Sequence, residues 1–113
     1  MNPSIAKARR RLGDARLLAF LRWSPTSIEG PFGITACDLV NEELDAGATL
    51  DELFITNEDS GLCLEVRRLR PNTFRIDFGC MAGPLAGDGG VWEVVFTPQG
   101  AVAEGKLTDA WVS

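Results

Sequence analysis

Three carboxylates recur at i, i+4 and i+7 in the stretch TACDLVNEELDAG: Asp38, Glu42 and Asp45. On a helix this spacing sets them along one face, and hard cations take oxygen ligands of that kind. No EF-hand spacing surrounds them, so the pattern reads as an acidic solvated face, and no metal is assigned. A second stretch, FGCMAGPLAGDGGVW at residues 78–92, places five glycines from Gly79 to Gly90. A phosphate-cradling loop would need a lysine and a Ser or Thr directly after its last glycine, opening a helix. Here Gly90 leads into the strand-like VWEVVF, and no basic residue lies between Arg75 and Lys106. A dinucleotide fingerprint fails as well, because Gly87 and Gly89 would require a third glycine where Trp92 stands. Asp88, the only charge in the stretch, would repel phosphate. The reading is a long hairpin connection and no cofactor. Its apolar residues Met81, Pro84 and Leu85 either fold back over one end of the core or touch a partner.

Catalytic groups are scarce. The chain has no histidine and no tyrosine, which removes the commonest general base and the phenolic acid. Cys80 stands at a strand end where a nucleophile would serve, but no histidine can activate it. Cys37, Cys63 and Cys80 are odd in number and form no CxxC pair, which excludes the usual structural zinc patterns and argues against a disulfide framework. Reduced thiols among apolar neighbours are expected. Enzymatic work would fall to carboxylates or arginines, and no catalytic residue is assigned.

Charge is distributed unevenly along the 113 residues. Residues 1–25 carry six basic side chains against Asp14; residues 26–61 carry nine acids and no base; residues 62–113 hold five bases and six acids. A chain with net charge −5 and pI near 4.6 is a poor direct ligand for nucleic acid. Arg9, Arg10 and Arg11 spread around a helix rather than forming one patch, whereas Arg67, Arg68, Arg70 and Arg75 gather near one hairpin end. No apolar run approaches the roughly 18 to 20 residues of a membrane span. KARRR ahead of LLAFL has too short an apolar core for a signal peptide, so a cytoplasmic location is expected, with an Arg-rich transit peptide as the alternative.

The elements that position these residues follow from periodicity. Asn2 and Pro3 open a helix in which Ile5, Ala8, Leu12, Ala15 and Ala19 recur, with Leu18 and Phe20 widening the stripe. Gly13 weakens this helix by about 1 kcal/mol without ending it. SPTSIEGPFG stops it. A second helix carries Ile34, Cys37, Val40 and Leu44 on one face, with Thr35 and Asp38 as a capping box and Gly47 past its end. Thr49 and Glu52 repeat the capping box ahead of a short helical turn.

From Gly61 the period changes to two. Leu62, Leu64 and Val66 alternate with Cys63, Glu65 and Arg67, and Phe74, Ile76, Phe78 and Cys80 alternate with polar or small residues. A three-residue turn at Arg70, Pro71 and Asn72 sets Val66 against Ile76 and Leu64 against Phe78, although Arg67 then faces Arg75 and Glu65 faces Asp77. VWEVVF and AVAEGKLTDAWV, joined by the turn TPQG, supply two more strands, the last one bulged at Gly105.

The sequence therefore predicts a single α+β domain over 1–113: two N-terminal helices packed on one face of a four-stranded antiparallel β-meander. A strongly curved sheet or small barrel holding one helix is the alternative. The expected function is a non-enzymatic protein–protein interaction module, such as an acidic inhibitor or immunity-type protein that binds a basic partner. Its binding residues would be Asp38, Glu42 and Asp45, with Glu29 and Glu58 at the margins and Met81 and Leu85 on the glycine loop. The competing reading is a small-molecule-binding domain or small enzyme with a pocket lined by Trp23, Trp92 and Phe96. Self-assembly as a homodimer through a sheet edge is the third.

Overall fold

The computed structural model describes residues 3–27, 34–56, 61–83 and 86–112. Its order is α1 (Pro3–Leu12), α2 (Asp14–Trp23), a 3-10 turn (Ser24–Ser27), α3 (Thr35–Asp45), α4 (Leu50–Thr56), then β1 (Leu62–Arg70), β2 (Thr73–Gly83), β3 (Ala86–Phe96) and β4 (Val102–Val112). The strands form one antiparallel sheet in the order β1-β2-β3-β4. This is the expected α+β meander. Val66 pairs with Ile76, Leu64 with Phe78 and Leu62 with Cys80, the predicted register, but not through the expected three-residue turn: Arg70 pairs with Thr73, Pro71 and Asn72 make the turn, and an irregularity between Arg68 and Arg70 supplies the odd residue. The price of this register is present too, since Arg67 faces Arg75 and Glu65 faces Asp77.

The alternation buries one sheet face. Leu62, Leu64, Val66, Phe74, Ile76, Phe78, Trp92, Val94 and Phe96 join Ile5, Leu12, Leu17, Phe20, Leu21, Val40 and Leu44 of the helices in one core cluster. Phe20 stands at its centre, edge-on to Phe78 at 5.9 Å and to Trp92 at 5.4 Å between ring centroids. Edge-to-face pairs add about 0.5–1.5 kcal/mol each beyond the area they bury. The opposite face carries the charged residues of the alternation and no helix among the described elements.

Four further expectations are corrected. The first helix does not run through Gly13. There φ is +89°, a left-handed conformation open to glycine at little steric cost, and the chain turns between α1 and α2. The predicted weakening of a helix is instead a break. Helix α3 begins with Ile34 as its extended N-cap, without a side-chain cap hydrogen bond, so Thr35 is the first helical residue and not the expected cap. The second capping box does form: Glu52 N–H donates to Thr49 Oγ1 at 3.2 Å and Thr49 N–H donates to Glu52 Oε2 at 3.3 Å. Strand β4 is irregular beside Val91/Trp92 and Val95/Phe96, not at Gly105, which pairs with Val94.

The fourth correction concerns the glycine stretch, which is not a long loop. Strand β2 runs to Gly83 and β3 starts at Ala86, so nearly all of it lies in the ladder. The glycines of this ladder meet a tryptophan 22 residues beyond Gly89. Gly79 pairs with Gly89, which pairs with Trp111. The indole of Trp111 reaches back across both glycines on the outer face. A Cβ at Gly79 would stand 2.5 Å from Trp111 Cζ2, and one at Gly89 would overlap the same ring. Trp111 Nε1 donates to Asp77 Oδ1 at 3.1 Å, which fixes the ring there. Bare backbone is the bed for an indole, not a cradle for phosphate.

Candidate functional site

Strand β1 is one edge of the sheet, and α1 lies alongside it. The helix turns Ile5, Ala8 and Leu12 into the core and leaves Lys7 and Arg11, one turn apart, on its exposed side. Arg11 Nη1 donates to the carbonyl of Val66 at 3.2 Å. That carbonyl therefore points away from β2, and the two-residue alternation of an antiparallel ladder turns the backbone groups of Leu64 and Arg68 the same way. A groove of about 850 Å³ follows this edge, lined by Lys7, Ala8 and Arg11 of α1, Leu64 to Arg68 of β1, and Arg75 and Asp77 of β2. Five cationic side chains meet two carboxylates there, a net of +3 on a chain of net −5. The predicted arginine gathering at the hairpin is real but divided. Arg67, Arg68 and Arg75 face the groove, whereas Arg70 pairs with Glu93 at 3.2 Å.

Among the described residues, the ion pair between the N-terminal cations and the acidic segment is made by Arg9, with Nη1 2.6 Å from Asp51 of α4 and, within its own segment, Nε 2.7 Å from Asp14. The hydrogen bond from Arg9 holds the Asp14 carboxyl below its ordinary range. Asp38, Glu42 and Asp45 are exposed on α3, and among the described residues none of the three forms an ion pair. No group of acids, cysteines or histidines able to hold a metal ion occurs among the described residues.

The remaining predicted site residues are scattered. Glu29, Glu58 and Leu85 lie outside the described residues. Met81 is half-buried in β2 opposite Gly87, and its N–H donates to the Gly61 carbonyl at 2.9 Å, so it is a strand residue and not a loop tip. Trp92 and Phe96 do not line a pocket between helices and sheet. Both are buried, Trp92 against Phe20 and Phe96 against Phe74 at 5.8 Å, because the aromatic rings fill the space in which a cavity was expected. Trp23 packs its ring over Gly105 of β4.

The cysteines are free thiols. Burial pushes Cys37 up to about 11, assisted by the nearby Asp38 and Asp88 carboxylates, while Ser24 Oγ at 3.8 Å from its sulfur acts the other way. Burial also raises Cys63 and Cys80. Cys63 and Cys80 belong to opposite faces of the sheet, Cys63 pairing with Gly79 and Cys80 with Leu62. None has the electropositive surroundings of a nucleophile.

The groove residues Lys7 and Arg11 were missed from sequence. Their signal was an i, i+4 cationic pair flanking the apolar stripe of the first helix, but only the packing of α1 on β1 joins it to Arg67, Arg68 and Arg75. No family model, curated protein or solved structure matches the chain.

Proposed function

We propose that this chain is a protein-interaction module that receives an acidic, extended segment of a partner along the edge of β1. The observation that carries this reading is the groove itself: outward-facing backbone groups of Leu64, Val66 and Arg68 beside a wall of cationic side chains. An added strand takes its affinity from main-chain hydrogen bonds and its specificity from the side chains around the edge. Carboxylates at alternate positions of the incoming strand would meet Lys7 and Arg11 on one side and Arg67 and Arg75 on the other. Displacing the Arg11 contact at Val66 would free that carbonyl for the new ladder.

The test is selection from a random peptide library, followed by mapping of the winning peptides on the isotopically labelled protein. The reading expects acidic, strand-forming winners that shift the amides of Leu64, Val66 and Arg68. Basic winners, or shifts centred on another element, would sink it. A second reading rests on α3, where Asp38, Glu42 and Asp45 are exposed and form no ion pair among the described residues. It makes the protein an acidic inhibitor or immunity-type protein that docks a basic partner, and it predicts shifts on α3 instead.

A further inference from the structure

We infer that Arg11, Arg16 and Arg68 form an oxyanion site that takes a phosphate monoester or free phosphate. The three guanidinium groups border a hollow of about 180 Å³ whose other walls are Pro71, Asn72 and Phe74. Among the described residues no carboxylate lines it. Arg16 is held in place from three directions. Its Nη1 donates to the Leu12 carbonyl at 3.2 Å, its Nη2 donates to Asn72 Oδ1 at 3.4 Å, and its Cζ lies over the Phe74 ring, 5.2 Å from the centroid. Asn72 reaches this position because it occupies the left-handed region, φ +63°, in the β1–β2 turn. Asparagine tolerates that conformation better than most side chains.

Arg11 uses one N–H on Val66, and Arg16 uses two on Leu12 and Asn72. Each guanidinium keeps further donors in its planar fork, whose geometry suits phosphate oxygens. Three like charges bordering one small hollow repel each other, and an anion between them converts that repulsion into attraction. A phosphate dianion matches the charge and offers enough acceptors for all three, as arginine clusters that read phosphorylated side chains do. The site shares Arg11 and Arg68 with the β1 groove, yet it does not depend on strand docking there.

The probe is inorganic phosphate, titrated into the labelled full chain against sodium chloride at matched ionic strength. Saturating shifts are expected at Arg11 to Arg16 and Arg68 to Phe74, with a Kd of about 1 mM or tighter, together with a rise in Tm that chloride does not produce. The Arg11→Ala, Arg68→Ala double variant should weaken phosphate at least tenfold, and Arg68→Lys should weaken it less. Responses to phosphate and chloride that coincide would overturn the site. So would saturating shifts centred elsewhere, or undiminished affinity in the double variant. Should that variant fail to fold, the shift map of the unaltered protein decides. Two further arms distinguish the source. An acidic strand peptide that binds about tenfold tighter with phosphoserine than with serine assigns the hollow to a phosphorylated side chain. Equal binding of the two peptides, with inorganic phosphate still saturating the hollow, assigns it to the free anion.

Discussion

The two edges of the sheet leave backbone groups unpaired in very different settings. Strand β1 keeps unbroken register with β2 from Leu62 to Arg68. Strand β4 is interrupted twice in its pairing with β3. It carries Glu104, Lys106 and Asp109, all exposed, and Thr108 Oγ1 donates to the Val91 carbonyl at 2.9 Å. Irregularity and mixed charge are the usual protections of a sheet edge against stray pairing. The β1 edge is interrupted once, near its end between Arg68 and Arg70, and presents charge mainly of one sign. Two copies meeting β1 to β1 would place cation against cation, whereas the proposed acidic strand would meet opposite charge. The contrast is between an edge shielded by irregularity and mixed charge and one whose charge is mainly of a single sign.

The largest effect is expected from removing what both edges share. Phe20→Ala deletes the ring between Phe78 and Trp92 and should lower stability by about 3–5 kcal/mol. Amide exchange should then quicken on β1 and β4 together. Protection lost on one strand alone would show that the edges do not draw on a common core. Next in size is the triple reversal Lys7→Glu, Arg67→Glu, Arg75→Glu, three exposed cations of the groove. It should weaken an acidic strand peptide roughly 100-fold at low salt, about 2.7 kcal/mol, with the fold retained by circular dichroism. Lys106→Glu on β4 should leave that affinity unchanged. Equal losses from the two variants would erase the distinction between the edges.

Away from both edges, Cys37 supplies an alkaline dependence. Its folded-state pKa lies near 11 against an ordinary 9.0. The buried neutral thiol therefore adds full stability below pH 9, and this is lost as the pH rises from 9 to 11. The loss is at most about 2 to 3 kcal/mol, read from urea melts of the protein and of Cys37→Ala. A parallel decline in both proteins would assign the effect to other groups. Gly105→Val would drive a side chain into the Trp23 ring, 2.7 Å from where a Cβ would stand. About 1–3 kcal/mol is expected, with exchange quickened on β4 and unchanged on β1. Smallest is Arg9→Ala, which removes the links to Asp14 and Asp51. Both carboxylates are well exposed, so a loss of about 1 kcal/mol or less is expected in thermal melts, and it should vanish at high salt.

Much of the fold was legible from local patterns. Period-two alternation in LCLEV and TFRIDFGC placed the core face, and the requirement that Val66 and Ile76 share it fixed the register of β1 on β2. A one-residue slip would have turned Arg67 inward, so burial left a single choice. The capping box at Thr49 and Glu52 was equally local, and it forms as read. Gly13 was read by its average cost inside a helix, a measure that is blind to whether the chain turns there. The site was less legible. Asp38, Glu42 and Asp45 were correctly placed on one exposed face, but that face follows from helical spacing and says nothing of what meets it.

By itself the sequence determined the class of fold, the buried faces of β1, β2 and β3, the placing of helices before strands and the polarity of each segment. All of these depend on contacts between near neighbours or on charges that can be counted. Tertiary structure alone decided the rest. Residues 78–83 and 86–92 are strand, and the Trp111 indole lies across Gly79 from 32 positions away in sequence. Trp92 and Phe96 fill a space rather than line one, because Phe20 arrives from a helix to occupy it. Lys7, Arg11 and Arg16 meet Arg67, Arg68 and Asn72 only because α1 and α2 settle beside β1 and its turn. Such convergence depends on which apolar stripe packs against which sheet face, and one-dimensional patterning cannot specify that pairing.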